Sequence, residues 1–448
     1  MFSPRVPRQL EANRFSRALG AARAAGRELI DLTISNPTRA GIVYPEGLFA
    51  PLASAAVAHY TPEPFGLLTA RQAVASDYAR RGASIRPEHI VLTASTSEAY
   101  SLLFKLLCAP ARDEVLVPVP SYPLFEHLTR LDGVEAAAYA LRYDGRWWVD
   151  FESVDRMWSP ETRAVLAVSP NNPTGSMLSS EETRALADRC AAREAALILD
   201  EVFADYLLDD GSPGSKDPGA TSDGFTEAPE SSVVARGSSG PPPEMITSAP
   251  NVAPGSSDPP PEKLTSASDV APGSSDPGVH PSCLTFRLGG LSKSAALPQV
   301  KLGWIAVDGP EPLVADALAR LEFICDTYLS VSTPAQVAAP ELIARGAGPR
   351  QQILERVRAN YATLRQLCGA CPTVDLLHAD AGWSAVLRVA ATASEEEITL
   401  DLLERDGVIV YPGFFFDFPR EAFLIVSLLP EPRAFTDGVR AVLGRVDG

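Results

Sequence analysis

A lysine set among small and apolar residues is the chemical focus of this sequence. Lys293 stands in the run Leu288 to Ile305, LGGLSKSAALPQVKLGWI, just after a short apolar strand and a small-residue turn. Most lysines are solvated surface cations. One enclosed by such neighbours loses hydration, its pKa falls, and its amine becomes a nucleophile able to condense with a carbonyl cofactor.

Two further segments carry chemistry of a matching kind. Ala196 to Leu199 is an apolar strand that ends in Asp200, and an acid in that position costs several kcal/mol unless a partner is supplied. Twenty-eight positions earlier, Asn172 sits in Ser169-Pro170-Asn171-Asn172-Pro173-Thr174-Gly175, where two X-Pro turns and a glycine fix a rigid loop after the strand Ala164 to Val168. The spacing suits adjacent strand–helix–strand units. Upstream, Ile90 to Thr93 reads as a buried strand leading into Ala94-Ser95-Thr96-Ser97-Glu98 and an apolar helix. Ser95 and Glu98 have the form of a capping box. Such a helix start is either an ordinary cap or, through its free N–H groups and dipole, an anion site.

Taken in chain order, these segments resemble the class I/II aminotransferases, fold-type I enzymes that use pyridoxal phosphate. The resemblance runs from Asp31 to Val442 with one insertion left out. It implies that Lys293 forms a Schiff base with the cofactor and that Asp200 pairs with the protonated ring nitrogen. It implies that Asn172 bonds the ring oxygen, that Tyr122 in Pro120-Ser121-Tyr122-Pro123 stacks on the ring, and that Thr96 and Ser97 contact the phosphate. Tyr60 matches a tyrosine that crosses to the neighbouring subunit's phosphate, which implies a homodimer with shared active sites.

Four positions depart from the family pattern. Phe203 stands where a tyrosine usually shares the ring oxygen with the asparagine. Lys301 stands where an arginine usually grips the phosphate, a point charge in place of a bidentate fork. Gly290 replaces a hydroxyl. In Ala422-Phe423-Leu424-Ile425-Val426-Ser427, Ile425 occupies the place of the arginine that binds the substrate's α-carboxylate. Arg39, in the turn Ser35-Asn36-Pro37-Thr38-Arg39, is the candidate replacement and Arg388 the second choice.

The elements that must hold these residues call for two domains, which 448 residues with 46% apolar content can build. Alternating strands and helices indicate an α/β fold with a mixed, mostly parallel sheet. The expected division is an N-terminal arm with part of a small domain (1–44), a large cofactor domain (45–207 and 282–311), and a small α/β domain (312–448). Between them lies a Pro/Ser/Gly-rich acidic insertion (208–281), with an 18-residue near-repeat at Pro241 to Asp258 and Pro259 to Asp276. Its composition predicts disorder. From Asp209 to His280 there are eleven acids and three bases, so −8 of the net −17 resides there. An acidic chain argues against nucleic acid or an anionic membrane as partner.

Arg5, Arg8, Arg14 and Arg17, opposed by Glu11, suggest an arm helix packing on a partner subunit; a transit peptide is the other reading. No apolar run is long enough to span a bilayer. Six scattered cysteines read as reduced thiols of a cytoplasmic protein, and Cys368-Gly-Ala-Cys371 closes a helix where a redox dithiol would open one. No metal site is expected. The expected activity is amino-group transfer between an amino acid or related amine and a 2-oxo acid. A pyridoxal-phosphate lyase, decarboxylase or cyclase is the alternative, and a non-enzymatic DNA-binding regulator a remote third.

Overall fold

The computed structural model describes residues 2–7, 12–209 and 281–447. The insertion expected over 208–281 falls, from 210 to 280, outside the described residues, as do Arg8 and Glu11.

Along the chain the strands are β1 (Ile30–Asp31), β2 (Ile90–Thr93), β3 (Glu114–Val119), β4 (Glu135–Tyr143), β5 (Trp147–Val149), β6 (Thr162–Val168), β7 (Ala196–Asp200), β8 (Thr285–Gly290), β9 (Gly303–Asp308), β10 (Val374–Leu376), β11 (Ser384–Val389), β12 (Val408–Ile409), β13 (Tyr411–Pro412) and β14 (Phe423–Ser427). The helices are α1 (Arg14–Ala24), α2 (Leu68–Arg80), α3 (Thr96–Leu107), α4 (Leu124–Asp132), α5 (Phe151–Met157), α6 (Ser180–Ala192), α7 (Leu291–Ser294), α8 (Glu311–Tyr328), α9 (Thr333–Arg345), α10 (Ala347–Cys368), α11 (Glu395–Asp401) and α12 (Pro432–Asp447).

Eight strands make one sheet in the order β2-β9-β8-β7-β6-β3-β4-β5. The central run β8-β7-β6-β3-β4 is parallel, while β9 and β5 enter antiparallel. The apolar runs of β6 and β7 suit strands covered on both faces. Ala164, Leu166, Ala196 and Ile198 point into a core shared with Leu103 and Phe104 of α3 and Leu321 of α8. Val165, Ala167, Leu197 and Leu199 point the other way, against Leu186, Ala187 and Cys190 of α6. This two-residue alternation also turns Asp200, which shares the parity of Ile198, toward α3.

A second sheet, antiparallel and ordered β10-β11-β14-β13, packs with α10 and α12 around Leu387, Leu424, Val426, Phe435 and Val439. β1 pairs in parallel with β12, so the start of the chain joins the C-terminal elements. The expected arm helix is α1, but its apolar side is covered within its own chain. Phe15 and Ala22 pack with Leu400, Leu403 and Ile409, because the helix offers only one narrow apolar stripe and the α11 region fills it. Cys368 ends α10 and is a free thiol like the other five cysteines.

Candidate active site

Adjacent parallel strands deliver their C-terminal loops to one edge of the large sheet, the edge where open α/β sheets bind ligands. β3 leads to Tyr122, β6 to Asn172, β7 ends in Asp200, and β8 leads into α7 with Lys293. α3 starts beside them because Thr93 of β2 is in register with Gly303 of β9, and Gly303 with Gly290 of β8. A Cβ on Gly290 would lie 3.2 Å from the Gly303 Cα, and one on Gly303 would lie 3.1 Å from the Ser95 carbonyl carbon. Here Gly290, where the family carries a hydroxyl, is a condition of close backbone packing.

The turn bearing Lys293 is tied down by side chains that the sequence did not single out. The Tyr206 hydroxyl donates to the Lys293 carbonyl, Arg350 Nη1 to the Ser294 carbonyl at 3.2 Å, and the Tyr44 hydroxyl to the Ala296 carbonyl at 2.7 Å. The donors to Ser294 and Ala296 satisfy carbonyls that a one-turn helix leaves open, and Tyr206 adds a second donor to the Lys293 carbonyl, which already accepts the Ala296 N–H. The Lys293 amine itself donates to the Ser35 carbonyl at 3.4 Å and stands over the rings of Trp383, 4.7 Å away, and Phe203, 5.4 Å away. Loss of hydration lowers its pKa to about 8, against the opposing pull of Asp200.

Asp200 is buried. Its Oδ2 accepts the Tyr100 hydroxyl at 2.7 Å and its Oδ1 the Val202 N–H at 3.1 Å. Burial raises its pKa, and the two hydrogen bonds and Lys293 counter that. Among the described residues no cation lies within ion-pairing distance of it. Asn172 Oδ1 accepts the Ser384 hydroxyl at 3.2 Å, which leaves its amide N–H groups free to donate.

At the helix start, Ser95 Oγ accepts the Glu98 N–H at 3.1 Å, as a cap should. The reciprocal half of the expected box differs: the Glu98 carboxylate reaches past Ser95 to the Ala94 N–H at 2.6 Å and also accepts the Ser330 hydroxyl at 2.9 Å. Thr96 and Ser97 therefore open α3 with their own hydroxyls uncommitted to the cap. Phe203 is buried edge-to-face on Trp383, ring centres 5.3 Å apart. Tyr122 is 47% exposed and Tyr60 71% exposed. Lys301 is exposed, in the left-handed region at φ 58°, in the turn before β9.

Of the candidate carboxylate binders, Arg388 is excluded: on β11 its guanidinium pairs with Asp375, its register partner on β10, at 2.6 Å. Arg39 is exposed, four residues from the Ser35 carbonyl that holds Lys293; its N–H donates to the Asn36 carbonyl at 3.0 Å, while its guanidinium has no hydrogen bond or ion pair among the described residues. Ile425 lies on the β14 face that matches Ser384 on β11, but it is 2% exposed under Trp147, Leu377, Val386, Phe416 and Phe418. The loop supplying Phe416 is pinned by Glu395 of α11, which accepts the N–H groups of Phe414 and Phe423 at 2.8 and 2.6 Å. The same loop reaches the site edge through the Ser121 N–H, which donates to the Phe416 carbonyl at 3.0 Å.

Sequence comparison matches residues 32–239 and 254–431 to the family described as aminotransferase class I and II. The glutamate-pyruvate aminotransferase AlaA of Escherichia coli K12 is 22% identical over 416 residues, covering 90% of this chain and 87% of that protein. An alanine aminotransferase of Mycobacterium tuberculosis H37Rv is 23% identical over 423 residues, covering 92% and 83%. In structure the chain resembles an aminotransferase from Escherichia coli (TM-score 0.75, 18% identity, covering 100% of this chain and 98% of that one). It also resembles an aspartate aminotransferase from Thermotoga maritima (TM-score 0.73, 18% identity, full coverage of both).

Proposed function

We infer the chemistry of this protein from its family: the chain belongs to the class I and II aminotransferases and is a pyridoxal-phosphate-dependent aminotransferase of fold-type I. The residues present fit that cofactor. A buried carboxylate without a cationic partner suits a protonated ring nitrogen, and a lysine amine whose pKa is lowered to about 8 stands close enough to feel its charge. When bound, pyridoxal phosphate supplies an aldehyde for an amine to attach to and a ring that takes up electrons from the substrate carbon.

Around it we assign the following roles. Asp200 would hold the ring nitrogen's proton by an ion pair, and Asn172, its carbonyl accepting from Ser384, would donate to the ring oxygen without help from Phe203, which has no hydroxyl. The N-terminus of α3, with Thr96 and Ser97, receives the phosphate, with Lys301 as a further charge. Tyr122, 47% exposed, would lie against the ring. Lys293 would provide the amine that holds the cofactor, and the same Nζ would serve to take up and return a proton. Trp383 and Phe203 flank that amine and keep water from it.

The substrates are assigned as an amino acid and a 2-oxo acid, in keeping with the glutamate-pyruvate and alanine aminotransferases among the relatives. Arg39 is the assigned anchor of the α-carboxylate. A homodimer with Tyr60 reaching the neighbour is supported by the exposed Tyr60 and Tyr328, which line one groove. The pairing of β1 with β12 supports a small domain formed by 1–44 with 312–448, beside a large domain of 45–207 and 282–311. Free thiols throughout support a cytoplasmic site, and no helix among the described residues is long and apolar enough to cross a membrane.

The observation that carries the assignment is the closeness of the half-buried Lys293 amine to the buried Asp200 carboxylate, whose charge it feels without forming an ion pair. Incubation of the purified protein with amino acids should convert its pyridoxal phosphate to pyridoxamine phosphate, and Lys293→Ala should lack the visible absorbance band. Carbon dioxide or ammonia release without pyridoxamine phosphate would instead indicate a decarboxylase or lyase.

A further inference from the structure

One helix serves two parts of the site. The first turn of α3 holds Thr96 and Ser97, and one turn further along Tyr100 faces inward at 2% exposure. Its hydroxyl donates to Asp200 Oδ2 at 2.7 Å. The ring cannot readily swing away: it lies edge-to-face on Phe125 with centres 5.4 Å apart and beside Phe104 at 6.2 Å.

The groups facing Asp200 act in opposite senses. Burial and the neighbouring Glu201 carboxylate favour its neutral form, while the Tyr100 hydroxyl, the Val202 N–H and the Lys293 ammonium favour the charged form. Tyr100 loses its proton only far above its ordinary range, because burial and Asp200 both oppose a phenolate. It is therefore a donor at every working pH.

We propose that Tyr100 is a positioning residue for the reaction: it fixes the orientation of the Asp200 carboxylate and keeps it ionised to meet the cofactor's ring nitrogen. The inference rests on the assignment of Asp200 to that nitrogen. Without the Tyr100 hydroxyl, Oδ2 would be a buried acceptor with no partner, and the acid would take up a proton in place of pairing with one. Because Thr96, Ser97 and Tyr100 share one rigid helix, the phosphate and ring-nitrogen ends of the cofactor are gauged against each other.

The test compares equilibrium binding of pyridoxal phosphate with that of an analogue whose ring nitrogen is replaced by C–H, a readout independent of turnover. Tyr100→Phe keeps the ring packing and removes only the hydroxyl. The expected result is an approximately tenfold rise in Kd for pyridoxal phosphate, the size of one hydrogen bond to a charged group, with the analogue's Kd unchanged. Equal weakening of both ligands would mean that the helix had moved, and no change in either would mean that the hydroxyl is idle; each overturns the proposal. Asp200→Asn, run alongside, should abolish the preference for pyridoxal phosphate over the analogue. If it does and Tyr100→Phe leaves the preference intact, Asp200 keeps its role and Tyr100 loses its own. If Asp200→Asn also keeps the preference, the assignment of Asp200 is wrong and that of Tyr100 falls with it.

Discussion

The Lys293 ammonium stands 4.7 Å above the Trp383 ring, with its one hydrogen bond among the described residues going to the Ser35 carbonyl. Aromatic faces attract a cation but hydrate it poorly, so the amine gives up its proton more readily than an ordinary lysine.

Labelling of the cofactor-free protein by a small aldehyde with a reductant should therefore show Lys293 reacting half-maximally near pH 8, well below the ordinary lysine range. The same shift affects stability. Between about pH 8 and the ordinary lysine pKa of about 10.4, the unfolded chain holds a proton that the folded one has lost, so the folded state gains stability as pH rises through that window. Lys293→Met should abolish that gain in denaturant unfolding at pH 7.5 and 9.5, and be the more stable protein at the lower pH.

Arg39→Ala should lower the apparent affinity for amino acids by one to two powers of ten, roughly 1.5–3 kcal/mol for a charged hydrogen bond. Turnover of an amine without a carboxylate should barely change. Steady-state kinetics on both substrates would remove Arg39 from the site if the two losses were equal.

Restoring the family's arginine at Ile425 should fail. The position is enclosed by Trp147, Val386, Phe416 and Phe418. Ile425→Arg is expected to cost about 3 kcal/mol or more through an unpaired buried charge, seen as a large fall in Tm with no gain in amino acid affinity. A stable variant with tighter substrate binding would show that the side chain can turn into the pocket.

Glu395 makes the pinning of the aromatic loop dependent on pH. Burial pushes its carboxyl up to about 7, although the Phe414 and Phe423 N–H groups pull it down. The folded state then binds the proton more tightly than the unfolded chain, so this group's contribution to stability declines as pH rises from about 4.5 to 7. Glu395→Gln should remove that slope. It should also destabilise the protein by about 1–3 kcal/mol at neutral pH, since an NH2 group would face an N–H donor. Thermal melts from pH 5 to 8 would check both.

The residues that could be read from sequence are those whose type conflicts with their setting. Asp200 at the end of ALILD and Lys293 just after LGGLS are anomalies in apolar settings, and the neighbouring parallel strands β7 and β8 bring them together. Residues that look ordinary in their local setting were missed. Ser384 opens an unremarkable strand yet orients Asn172 from 212 positions away. Trp383 reads as core, and only the fold sets it against Lys293. Tyr100 did leave a signal, since Ala99, Tyr100, Leu103 and Phe104 mark the buried stripe of α3 and a tyrosine there needs a hydrogen-bond partner. The partner lies a hundred residues on and was not legible. At Ile425 the sequence showed what was absent, but the aromatic residues that fill the space come from a loop whose path depends on Glu395.

The close meeting of Gly290, Gly303 and the Ser95 carbonyl bears on how this site can change over time. Here the lysine turn and the start of α3 approach through Gly290 and Gly303, main chain close to main chain with the Thr93 hydroxyl beside them. Substitutions elsewhere can retune charge, substrate and loop without altering that approach. At Gly290 and Gly303 an added Cβ would meet neighbours at 3.0–3.2 Å, so even alanine there asks the lysine turn and the start of α3 to shift by a few tenths of an ångström.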